Sequence, residues 1–269
     1  MNDARAKPRV GSLLLFLAIA AVAVALLVLG HGYFPGARPL ARAGRLLCST
    51  AAIGLLILVG NRLLRRDGFR SDALGLAVDA AHARAFLIGA CIATVHILLL
   101  LGVFYAMAPF DVERGPRSAA DVAWAAADYV TGNFIEELLF RGYLLIVLAR
   151  WLGITRAVAL LALPFGLFHF PGLDAEALVK MMLKTGAMHF VYAYAFLGTR
   201  SLWAAVALHA VGNTLLHEVV GVNGPAVVTL RYSRALPDQA PFLIFFFVTA
   251  VVALLCSRWV AQQPLDPKF

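Results

Sequence analysis

Charge is scarce in this chain. Only 14% of its 269 residues are Asp, Glu, Lys or Arg, whereas soluble domains carry about a quarter. Cysteine is scarcer still: Cys48, Cys91 and Cys256 all fall within apolar runs, and no two share a metal-type or redox spacing, which leaves them as small buried residues. The Lys and Arg residues behind the net charge of +8 form no stripe with interleaved aromatics, so nothing points to a nucleic-acid partner. The H-E-x-x-H arrangement of soluble zinc proteases is missing, and His217-Glu218 offers its residue types without its spacing. Neither Cys91 nor Ser201 has the local base that a covalent nucleophile needs.

What the chain has instead is apolar length. It is 62% hydrophobic, with a mean hydropathy of +0.83, a composition that predicts an all-α, polytopic integral membrane protein lying in a lipid bilayer. The run from Gly11 to Gly30 follows Arg5, Lys7 and Arg9; about 20 apolar residues suffice to span a bilayer, so it reads as a first membrane helix and not as a signal peptide. Further runs cover Leu46 to Leu64, Ala85 to Pro109, Ser118 to about Trp151, Ala157 to Phe170 with Pro164 inside it, a run through Leu197, Leu202 to Val220, and Phe242 to Val260. That makes about eight transmembrane segments. The connection from Arg62 to Arg84 reads as a solvated loop with room for a short surface helix, Asp111 to Arg117 as a turn-rich link, and Pro171-Gly172 as the stop of the fifth run. Asp174, Glu176, Lys180 and Lys184 make an amphipathic approach to the sixth, and a polar connection with Asn223-Gly224-Pro225 leads to the last. Three regions follow: 1–117 with helices 1 to 3, a core at 118–220, and 221–269 with the final helix. With both termini inside, thirteen Lys and Arg fall on the inner side against nine outside, which puts the termini in the cytoplasm of a cell membrane, read as a bacterial inner membrane.

Against this background Thr131-Gly132-Asn133-Phe134-Ile135-Glu136-Glu137-Leu138-Leu139-Phe140-Arg141 stands out. Ionisable groups at membrane depth cost at least a few kcal/mol and face a protein interior or a water cavity. On a helix, Glu137 and Arg141 lie four apart and can pair, while Glu136 points about 100° away from Glu137. Glu136 is then the leftover carboxylate, suited to exchange protons as a general base. Later runs carry His169, His209 and Asn213; the last two share a face by their spacing of four, and His217 continues it. Singly, each His could be a packing residue, but buried polar groups need partners and these can satisfy one another only by converging. His31, His82 and His96 read as interfacial or packing residues, and His189 and Tyr192 to Tyr194 as either cavity-lining or packing.

Glu136-Glu137-x-x-x-Arg141, Phe165-x-x-x-His169 and His209-x-x-x-Asn213, in this order on successive hydrophobic helices, resemble the three motifs of the CAAX protease and bacteriocin-processing family, which includes type II CAAX prenyl endopeptidases and Abi proteins. The resemblance implies a site built from the fourth, fifth and seventh helices of an intramembrane endopeptidase. It also implies that Glu136 and His169 activate a water, that His209 and Asn213 stabilise the oxyanion, and that Glu137 with Arg141 supports the site. The substrate implied is a membrane-associated protein or peptide precursor, cut near its membrane-proximal end, with no cofactor. Two alternatives stay open: a zinc-dependent version in which Glu136, His169 and His209 hold the metal with water as fourth ligand, and a non-enzymatic transporter or immunity protein. Against the transporter, the other half of the chain holds no second copy of the acidic motif.

Overall fold

A computed structural model of the protein describes residues 9–34, 39–169, 175–221 and 224–263. Arg5, Lys7, the side chain of His31, Pro171-Gly172, Asp174 and Asn223 lie outside the described residues. The helices run in the order α1 (Val10–Tyr33), α2 (Pro39–Arg66), α3 (Ala80–Met107), α4 (Ala119–Glu137), α5 (Leu145–Leu152), α6 (Ile154–Phe168), α7 (Ala175–Thr199), α8 (Leu202–Asn213) and α9 (Ala240–Ala261). Four of them, α1, α2, α3 and α9, are long and apolar enough by length and composition to cross a membrane. The protein is a polytopic membrane protein.

The run that begins at Ser118 is the longest helical path. Ser118 and Asp121 form a reciprocal capping box, in which the Ser118 hydroxyl and backbone N–H donate to the Asp121 carboxylate and hold it below the usual carboxylate range. From there α4 passes through a seven-residue π-helical turn, Leu138–Leu144, into α5, which stops at Gly153 with a φ of 85°. A second π-helical turn, Thr214–Val219, follows α8. Both under-wound turns adjoin the polar motifs, as such turns often do at functional sites.

Helix α8 is enclosed. Leu202 and Ala204 to Leu208 are buried, packed by α3, α4 and α7. The close approach of α3 depends on Gly89, because a Cβ there would lie 2.0 Å from the Ala204 carbonyl oxygen. Membrane helices pack this way through small residues that let backbones meet.

Two segments differ from the expectations. The link after α3 contains a strand, β1 (Phe110–Arg114), which pairs antiparallel with β2 (Val228–Tyr232) in the connection before α9, Val112 lying opposite Leu230. Phe110, Val112, Leu230 and Tyr232 alternate with polar residues in the period-two pattern of a strand, although Val112 and Tyr232 stay exposed. The ribbon is tied to α8's end: Arg117 lies 2.9 Å from Glu218, which also accepts from Tyr129, and the Val227 N–H donates to the Glu218 carbonyl. Nor is the connection before α3 wholly solvated. Asp67 is buried and accepts from Ser12 and Tyr143, while Arg150 donates to its carbonyl oxygen and covers the Phe69 ring. This latch joins α1 and α2 to the end of the helical path that carries the acidic motif.

Candidate active site

The acidic motif sits where α4 meets its π turn. Glu137 and Arg141 pair at 3.2 Å with both side chains fully enclosed, and a charge so placed needs dense compensation. Glu137 Oε1 accepts a second bond, 2.8 Å, from His209 Nδ1 on α8. The guanidinium lies over the rings of Phe165, 4.1 Å from its centroid, and Tyr192 at 5.0 Å. Aromatic faces thus meet a cation whose Nε and remaining terminal nitrogen have no hydrogen-bond partner among the described residues.

Glu136 faces the other way, as the helical spacing predicts, but it is not alone. Its Oε2 lies 3.3 Å from Nε2 of His169, the residue that caps the end of α6. Glu136 and His169 keep 17% and 25% of their side chains exposed, against none for Glu137 and Arg141, so the first pair is the one a substrate or water can reach. His169 Nδ1 donates to the Phe165 carbonyl at 2.9 Å. With Nδ1 committed, Nε2 of a neutral ring turns a lone pair toward Glu136 Oε2, which has no hydrogen-bond partner among the described residues, so both face the site as acceptors. His209 is fixed the same way by Glu137 and is held flat by Tyr192, whose ring stacks on it at 4.3 Å.

Glu136, His169 and His209 present ligand-type atoms all within 4.8 Å of one another. Both histidines donate through Nδ1 to an oxygen, the outer arrangement common around metal-bound imidazoles, so the residues present fit a zinc ion as well as a shared proton.

Asn213 joins one step removed, its side-chain amide donating to Asn133 at 3.4 Å. A cavity of 230 Å³ opens beside the group and is lined by His169, Tyr192, His209, Asn213 and His217, with Lys184 on its wall. The structure therefore gathers Glu136, Glu137, Arg141, His169 and His209 directly and places Asn213 on the wall of the cavity that His169 and His209 also line. In the order of hydrophobic runs, the elements that carry them are the fourth, fifth and seventh. Residues that the motifs did not single out are Asn133 and Tyr192. Asn133 lies four before Glu137 on the same helix face, a spacing that could have found it, whereas Tyr192, read from the sequence as cavity-lining or packing, does both, lining the cavity and stacking on His209.

Residues 118–215 match the family described as Rce1-like, type II CAAX prenyl endopeptidase. Over that range the chain is similar to the CAAX proteases. Its matched range contains all three motifs, from Ser118 at the cap of α4 to the first residues of the second π turn. No curated protein matches the chain.

Proposed function

We propose that this CAAX-type membrane protein is an intramembrane endopeptidase that hydrolyses a peptide bond near the membrane-proximal end of a membrane-associated protein or peptide, using water and no covalent enzyme intermediate. The observation that carries this reading is the reachable Glu136–His169 pair at 3.3 Å, with the His169 tautomer fixed by Phe165. Glu136 takes a proton from a water held beside the pair. The resulting hydroxide adds to the carbonyl carbon, and the tetrahedral intermediate collapses with cleavage of the C–N bond. The abstracted proton passes to the leaving amine, which yields one carboxylate and one amine product. His209, as an imidazolium whose Nδ1–H the Glu137 carboxylate accepts so that its Nε2–H is left to donate, and Asn213, whose amide also donates to Asn133, supply donors to the developing oxyanion; losing one such donor typically costs about 100- to 1,000-fold in rate.

A second reading is favoured by one observation, the convergence of Glu136, His169 and His209 within 4.8 Å. These three would hold a zinc ion, which supplies an acidified water at neutral pH.

The test is proteolysis by purified, reconstituted protein, with substrates found by comparing membrane peptides from cells that express wild type or Glu136→Gln. Glu136→Gln should fold normally and lose turnover, since the amide cannot accept a proton; undiminished cleavage would overturn the assignment. In the same assay, cleavage that survives exhaustive chelation supports the metal-free reading, and cleavage that returns only with stoichiometric zinc supports the second.

A further inference from the structure

Away from the active-site cavity, a groove of 610 Å³ follows the seam between α3 and α9, and the two share no wall residue. Leu99, Val103 and Met107 enter it from α3 at spacings of four, and Ala240, Leu243 and Val251 are among those that enter from α9. Val103, Met107, Leu243 and Val251 are exposed. Both helices are long and apolar enough to cross a membrane, so in a bilayer the groove opens to lipid and not to water.

Its length and its one charged end say what fits. Along α9 the groove runs from Ala240 to Val251, about 17 Å, and along α3 from Met107 back to Leu99, about 12 Å. The hydrocarbon core of a bilayer is about 30 Å thick, so the groove covers one leaflet and stops; a partner's spanning helix would need a seam about 20 residues long. Met107, the last residue of α3, marks the interfacial end, and there Arg234 donates through Nε at 2.9 Å and through Nη2 to the Met107 carbonyl oxygen. A guanidinium carries five N–H donors, so others are left to offer. The neighbouring Arg231 is paired with Glu113 at 2.6 Å, whereas Arg234 meets no carboxylate within ion-pair distance among the described residues.

We propose that the groove binds one anionic phospholipid of the leaflet on the ribbon's side, with an acyl chain between α3 and α9 and the phosphate held by Arg234. The planar fork of a guanidinium matches phosphate oxygens, and a cation at the membrane surface draws anionic lipids. The lipid would touch the surroundings of the site as well. Ala240 and Ile244 on the groove floor pack in one cluster with Ile97, Leu100 and Phe245, and Ile97 and Phe245 in turn line the active-site cavity. A chain in the groove braces from the lipid side the seam that closes the cavity from within.

The deciding experiment titrates the full-length, delipidated protein in detergent with dioleoyl phosphatidylglycerol, with dioleoylglycerol and with glycerol 3-phosphate, following thermal stabilisation and calorimetric affinity. Phosphatidylglycerol should bind about 10- to 100-fold more tightly than dioleoylglycerol, the range for a hydrogen bond to a charged group, and glycerol 3-phosphate, a head without chains, should not bind at the same concentrations. Arg234→Gln should bring phosphatidylglycerol down to the level of dioleoylglycerol, and Arg234→Lys should keep part of the difference. Comparing two lipids on one variant cancels any change in that variant's own stability. Val103→Trp or Leu243→Trp, which fill the groove from either helix, should weaken both lipids together. Equal binding of the two lipids, a preference that survives Arg234→Gln, or affinities untouched by both Trp variants overturns the proposal. So does tight binding of glycerol 3-phosphate alone, the mark of a surface anion site, or a dimer in lipid-free detergent that Val103→Trp dissociates, the mark of a seam between two copies. None of these measurements needs turnover, so the protease reading stands or falls separately.

Discussion

Glu137 holds more than its sequence spacing with Arg141 implies. It accepts from both Arg141 and His209, so a single carboxylate neutralises the enclosed guanidinium and orients the His209 ring. Glu137→Ala should strand Arg141 at a cost of about 3 to 5 kcal/mol, read as a lower melting temperature and yield of the solubilised protein. Arg141→Ala should cost a similar amount through the uncovered carboxylate. The double replacement should recover part of the lost stability but none of the activity, because His209 has then lost its orienting partner; recovery of turnover in the double variant would remove Glu137 from the orienting role. The expectation of an unpartnered Glu136 is revised by His169 at 3.3 Å. Helical azimuth separates two glutamates from residues 136 and 137 alone, but it says nothing of what another helix brings opposite them.

At the scale of elements, the site depends on how closely α3 lies against α8. Gly89→Ala would set a methyl 2.0 Å from the Ala204 carbonyl, and neither helix can give locally because backbone faces the added atom. The helices must part, at about 1 to 3 kcal/mol for overpacking. His209, one and a half turns along α8, should shift with them, so Gly89→Ala should lower both melting temperature and kcat, although Gly89 touches neither substrate nor motif. An unchanged kcat would mean that α8 is positioned by α4 and α7 alone. Much at this scale was legible from the sequence. The long apolar run from Ser118 predicts one helix to about Trp151, and α4 through α5 ends at Leu152. The π turns were not legible, since an under-wound turn is set by packing around it and has no residue signature. The ribbon was missed although F-D-V-E-R and V-T-L-R-Y both alternate. Its partners are more than a hundred residues apart, and Gly115 and Pro116 beside the first strand read as a turn. Asp67 was counted among loop charges because nothing local reveals that Ser12 and Tyr143 close over it.

For the whole molecule, the inner excess of Lys and Arg and the alternation of the helices assign a direction to the cavity. If the start of α1 is cytoplasmic, the ribbon, Lys184 and His169 all lie toward the opposite side. In a cysteine-free background, a cysteine placed at Ser233 beside the ribbon should react with a membrane-impermeant maleimide added to intact cells, and one placed at Arg65 only after lysis. The reverse pattern would turn the cavity toward the cytoplasm. The tie between Arg117 and Glu218 also bears on how such a chain is assembled from parts. The segment from Ser118 to Val219 begins and ends at groups 2.9 Å apart, and the strands that continue from those two points run side by side, paired from Arg114 with Val228 to Phe110 with Tyr232. Topologically the segment is a nearly closed ring attached through a two-stranded stem. Coincident ends do not make the ring a free insert, because α8 packs on α3, α7 on α9 and α4 on α2, so exchanging it would mean repacking the flanking helices on every side.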